Sequence, residues 1–126
     1  MPARVTFRPI VGRGVVVVTL TGDLDGERYV ARMLQWYGDR PHLAPWHRIY
    51  DLSRYTGSIG HEHVQDLARR LPAGAVTAPA MTVIITPDPF FRVWTLTFPL
   101  FAPGRRYAVV TTRDEAWAAI AEGAGD

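Results

Sequence analysis

The chain has 126 residues, 48% of them apolar and 21% charged, which suits one globular core, is too short for two, and excludes wholesale disorder. It has no cysteine, so disulfides, thiolate catalysis and cysteine-ligated zinc are excluded. All 14 basic side chains are arginine, which excludes a Schiff-base or P-loop lysine, and a net charge of +2 scattered from Arg4 to Arg113 gives no basic face for nucleic acid.

Residues 5–10 and 15–20 are rich in β-branched side chains, and Val11-Gly12-Arg13-Gly14 between them supplies turn glycines, so a hairpin is predicted. Gly12 and Gly14 form a G-x-G, but a strand follows where a dinucleotide fingerprint needs a helix. Asp23 or Asp25 can cap the next element. There Tyr29, Val30, Met33, Leu34, Trp36 and Tyr37 recur at helical spacing until Gly38, as C-cap, and Pro41 end it. Residues 47–52 read as a buried strand. Residues 61–71 read as an amphipathic helix beginning near Ser58, with Val64, Leu67, Ala68 and Leu71 on its inner side. An apolar strand is predicted over 80–86. Asp88-Pro89 then has the form of an N-cap followed by proline at the first helical position.

The segment 90–101, FFRVWTLTFPLF, has Phe91, Trp94, Phe98 and Phe101 at helical spacing, with Pro99 kinking or ending the helix. Apolar side chains surround nearly its whole perimeter, whereas a helix with one buried face needs a stripe roughly 100° wide. A homodimer interface or the wall of an apolar pocket follows from that excess, since leaving such rings in water costs about 1.5–3 kcal/mol each. A last strand spans 105–111. Thr112 and Glu115 then fit a capping box opening a short helix with Ala116, Trp117, Ala119 and Ile120. The first residues lack an apolar leader, and the longest apolar run, Val15 to Val18 with Leu20, is far short of a transmembrane segment. A single cytoplasmic domain over 1–126 is therefore expected.

The order β-β-α-β-α-β-α-β-α predicts an α/β fold: a mixed, mainly parallel five-stranded sheet with four helices and right-handed crossovers. Three stretches carry a family likeness: VVVVTLTGDLDGERYV, HRIYDLSRYTG and FPLFAPGRRYAVVTTRDEAWAAI. Through them the chain resembles the STAS superfamily, and within it the small SpoIIAA-like proteins, which are similar to lipid-carrier folds of the CRAL-TRIO type. The resemblance implies a small, non-enzymatic regulatory or ligand-binding domain without a cofactor, often dimeric, with a hydrophobic surface or cavity. In the anti-sigma-factor antagonists of the superfamily, D-S-S-G follows a D-[LF]-S strand end, and a serine there is phosphorylated. Here Asp51-Leu52-Ser53 matches the strand end and Ser58 falls at the second serine. Thr56 replaces the acidic residue and Gly57 the first serine.

The stretch 46–60 is thus the expected site, because ligands and partners of open α/β sheets meet the strand ends beside helix N-termini. Asp51, Ser53, Thr56 and Ser58, with the aromatic residues Phe91, Trp94, Phe98 and Phe101, are the candidate contacts for a protein partner or an apolar, lipid-like ligand. Asp51 could instead hold the loop in an Asx-type turn, the preferred reading, and Ser58 could cap the following helix. Two other functions fit the residues. One is a phospho-switch at Ser58; the other is a hydrolase using Ser58, His61 and Asp51, although no G-x-S-x-G elbow accompanies them. His61 and His63 stand two apart and diverge on a helix, so no metal site is expected.

Overall fold

The computed structural model describes residues 2–72, 75, 79–88 and 105–124. Five strands form one sheet in sequential order: β1 (Arg4–Ile10), β2 (Val15–Gly22), β3 (His47–Tyr55), β4 (Met81–Ile85) and β5 (Arg106–Val110). β1 and β2 are an antiparallel hairpin; β2, β3, β4 and β5 pair in parallel. The helices among the described residues are α1 (Gly26–Asp39), α2 (His61–Arg70) and α3 (Arg113–Ala124). The mixed, mainly parallel architecture is the one the element order predicts. The helix predicted over 90–101, with Phe91, Trp94, Phe98 and Phe101, lies outside the described residues. Among the described residues no helix is long and apolar enough to cross a membrane.

The unbroken run of valines in β2 reflects burial on both faces. Val16, Val18 and Leu20 pack with Tyr29, Val30 and Met33 of α1 and with Leu67 and Leu71 at the end of α2. Val15 and Val17 point the other way, joining Ile49, Val83 and Ile85 against Ala116 and Ile120 of α3. Burying each such side chain contributes about 1.5–3 kcal/mol. Phe7 of the edge strand β1 stacks on Trp36 of α1 at 4.7 Å between centroids, tying the hairpin to the helix layer.

Several local signals resolve in ways that spacing leaves open. The hairpin turn is a short 3-10 segment, Val11–Arg13, closed by Gly14 at φ 64°. Asp25 caps α1 by accepting the Arg28 N–H at 2.8 Å. Gly38, expected as the C-cap, lies inside α1; Arg40 is the C-cap and Pro41 opens a 3-10 turn. Proline alone therefore stops this helix, because its ring cannot follow in the helical path. Ser58 does not cap α2. Gly60 holds that place in extended conformation, and His63 Nδ1 accepts the Gly60 N–H at 2.9 Å. At α3 the Thr112 hydroxyl accepts the Glu115 N–H at 3.2 Å, as the capping box requires.

Candidate functional site

β3 extends three residues beyond its predicted end at Leu52, because Arg54 and Tyr55 pair with β2 past a bulge. Thr19 pairs with Asp51 and Thr21 with Arg54, so three steps on β3 oppose two on β2. Asp51 sits at the break. Its Oδ1 accepts the Ser53 N–H at 3.0 Å and the Ser53 hydroxyl at 2.6 Å, an Asx-type turn that takes that part of β3 out of simple pairing. The other oxygen, Oδ2, accepts from Arg113 Nε at 3.1 Å and lies 3.0 Å from its Nη2. This fork joins the end of β3 to the first turn of α3 across 62 residues of sequence. Burial alone would raise the Asp51 carboxyl, but the Ser53 and Arg113 contacts outweigh it and hold the group below the usual carboxylate range.

The bulge also decides where Tyr55 points. An extra residue flips every later side chain to the opposite face. Tyr55 thereby leaves the face of Ile49 and packs against the α1–α2 layer. Its hydroxyl donates to the Leu24 carbonyl at 3.1 Å and accepts the Ile59 N–H at 2.7 Å. Burial pushes this hydroxyl up, against the pull of the Ile59 N–H, so it keeps the proton it donates.

Residues 56–60 are therefore pinned from both sides. The Thr56 N–H donates to the Gly22 carbonyl at 3.0 Å, and the Thr56 hydroxyl donates to the Asp23 carboxylate. Gly57 passes so close to the Leu24 carbonyl that a Cβ there would overlap it and lie 2.6 Å from the Tyr55 ring. Between these ties Ser58 is exposed, and among the described residues its hydroxyl has no hydrogen-bond partner. Leu24 also lines an open groove of about 530 Å³ between β1 and α1, together with Arg4, Arg28 and Arg32.

Of the residues singled out from sequence, Asp51, Ser53, Thr56 and Ser58 meet at this one strand end. Asp51 has the structural role preferred for it. Ser58, His61 and Asp51 do not form a hydrogen-bonded triad: Ser53 and Arg113 engage both Asp51 oxygens, and the Ser58 hydroxyl bonds to neither neighbour. Phe91, Trp94, Phe98 and Phe101 lie outside the described residues. Tyr55, Asp23 and Arg113 are functional supports that sequence reasoning missed. The four-residue spacing of Tyr55 and Ile59 around a glycine was the available local signal for the first; the other two come from distant segments.

A sequentially ordered, mainly parallel sheet with an opening hairpin, and a pinned loop between its third strand and second helix, make up a fold that this chain shares with solved proteins. The phosphorylated form of the Bacillus cell fate determinant SpoIIAA has this fold, with a TM-score of 0.55 at 22% identity over 93% of this chain and 99% of that one. An anti-sigma factor antagonist from Mycobacterium paratuberculosis has it too, with a TM-score of 0.54 at 19% identity over 96% of this chain and 97% of that one. At these identities the likeness establishes the fold. No protein-family model matches the sequence, and no curated protein matches it.

Proposed function

We propose that the chain is a non-enzymatic regulatory domain of the anti-sigma-factor-antagonist kind, which binds a protein partner through residues 56–60 and the start of α2, with Ser58 as its phosphoacceptor. One observation carries this reading. Of the three serine and threonine hydroxyls at the strand end, those of Ser53 and Thr56 are bound to carboxylates, while that of Ser58 is exposed and has no partner among the described residues. Phosphorylating either bound hydroxyl would set a dianion against Asp51 or Asp23, whereas the Ser58 hydroxyl is bonded to no carboxylate. A phosphate two residues before Gly60 adds about −1.5 to −2 charges near the positive end of the α2 dipole. The modification therefore adds negative charge to the surface presented by a loop that the Thr56 and Tyr55 hydrogen bonds hold in place. The likeness to a phosphorylated SpoIIAA and to an anti-sigma factor antagonist supports the same reading.

The test is intact-mass analysis after incubation with ATP and an extract of the protein's own host. A single phosphate increment on the parent and on Ser53→Ala, absent from Ser58→Ala, is expected. No increment on the parent, or one retained by Ser58→Ala, overturns the assignment. A second proposal rests on the sequence alone: the apolar perimeter of 90–101 is covered by a second copy of the chain or by an apolar ligand.

A further inference from the structure

About seven residues of β3, or roughly 23 Å, separate the Ser58 end of the sheet from a second polar cluster at the opposite strand ends. Arg48, the second residue of β3, and Arg105, just ahead of β5, are each only 4% exposed. Both gather around Thr82. Strand pairing sets Arg48 beside it, and Arg105 Nε donates to its hydroxyl at 2.9 Å. Arg48 Nε donates to the Tyr37 hydroxyl at 2.9 Å, and its Nη1 reaches that of Tyr50 at 3.4 Å. Arg105 Nη2 donates to the carbonyls of Trp46 and Met81 at 2.9 and 3.1 Å.

Every one of these acceptors is neutral. Among the described residues Arg48 Nη2 and Arg105 Nη1 have no hydrogen-bond partner, and both are shut off from solvent. The connecting stretches 73–78 and 89–104 contain no aspartate or glutamate. Burial, and then the like charge of Arg48, draw the Arg105 guanidinium down to about 10, and Arg48 stays above its usual value against the pull of burial, so both groups are charged at neutral pH. Proteins bury charges in pairs or with a bound counter-ion, because an isolated buried charge is heavily penalised. Two like charges with two unused donors lack that compensation.

We propose that Arg48 Nη2 and Arg105 Nη1 jointly bind a small oxyanion, a carboxylate or phosphate group, at the amino-terminal ends of β3 to β5. One nitrogen from each planar fork matches two oxygens of a single group. Tyr37, whose hydroxyl burial pushes up, keeps its proton as a neutral neighbour to the anion. Since neither nitrogen is exposed, the anion enters only when side chains part, and it exchanges slowly. The protein should therefore carry it through purification.

The experiment has three parts on the full chain. Protein purified in chloride buffer is denatured, and the released anions are measured by ion chromatography; one carboxylate or phosphate per chain is expected. Thermal unfolding is then followed while acetate, octanoate or phosphate replaces chloride at constant ionic strength, with a saturable rise of a few degrees expected. Octanoate outranking acetate marks the head group of an apolar molecule, and phosphate acting alone marks the free inorganic ion. Arg105→Met should abolish the rise. The third part needs no variant: the buried arginine Nε–H resonances of the parent should shift as the anion is added. Release of chloride alone, no saturable rise with any of the three anions, a rise retained by Arg105→Met, or shifts confined to exposed arginines overturns the site.

Discussion

Replacing Asp51 tests whether the strand-end bulge is held by its carboxylate. The side chain is 10% exposed and receives the Ser53 N–H at 3.0 Å, the Ser53 hydroxyl at 2.6 Å and the Arg113 fork at 3.0 and 3.1 Å. The Arg113 side chain is 52% exposed, so its share is discounted to that of a surface ion pair, about 0.2–1 kcal/mol. The Ser53 arm is a part-buried pair of charge-assisted hydrogen bonds, about 1.5–3 kcal/mol together. Asp51→Ala should thus lower stability by about 2–4 kcal/mol. Asp51→Asn keeps an oxygen for the Ser53 N–H but loses the charge and turns an amide NH2 toward Arg113, about 1–2 kcal/mol. Urea unfolding followed by tryptophan fluorescence measures both.

The same carboxylate predicts an acid limb. Its folded-state pKa is depressed, so the folded chain holds fewer protons than the unfolded one as the group titrates. Its stabilisation is complete above the unfolded carboxylate value, near about 3.9, and is lost as pH falls through the lower folded value. Asp51→Asn should flatten that limb. An Asp51→Ala variant within about 0.5 kcal/mol of the parent, or identical acid limbs for parent and Asp51→Asn, would refute the reasoning.

Three further outcomes are expected. Gly57→Ala forces a Cβ into the Leu24 carbonyl and the Tyr55 ring, so it should cost about 1–3 kcal/mol and speed hydrogen exchange at the Ile59 amide; an unchanged exchange rate counts against the pinned loop. Burial, and then the charges of Arg105 and Arg106, lower the His47 imidazole, whose neutral Nδ1 accepts the Met81 N–H at 2.9 Å. Its contribution is full above the unfolded value near about 6.5 and declines as pH falls below it, and His47→Asn should remove that slope; equal slopes for the two proteins would contradict the assignment. Trp94→Asp or Phe98→Asp should dissociate or precipitate a self-associated form, and an unchanged mass by light scattering for both variants would sink the proposed interface.

The amino-acid sequence by itself determined the elements of the described residues and their order. Helical spacing over 29–37, β-branched runs at 15–20 and 80–86, the proline at 41 and the Thr112–Glu115 cap act within a turn or two of the chain. Their physics is local, so it is readable without coordinates. The Asx-type turn at Asp51 was legible for the same reason, because donor and acceptor lie two residues apart.

Only the tertiary structure decided which distant side chains share an environment. Arg113 reaches Asp51 across 62 residues, the Thr56 hydroxyl reaches Asp23 across 33, and Arg105 meets Thr82 across 23. Ser58 lost its expected capping role because the loop runs two residues further before Gly60 starts α2. The bulge that turns Tyr55 to the other face depends on register against β2, and Arg48 reads from sequence as an ordinary charge within HRIYDL. Such juxtapositions arise from strand register and helix docking, which no short window of residues specifies, and both the exposed Ser58 and the buried arginine pair are products of that docking.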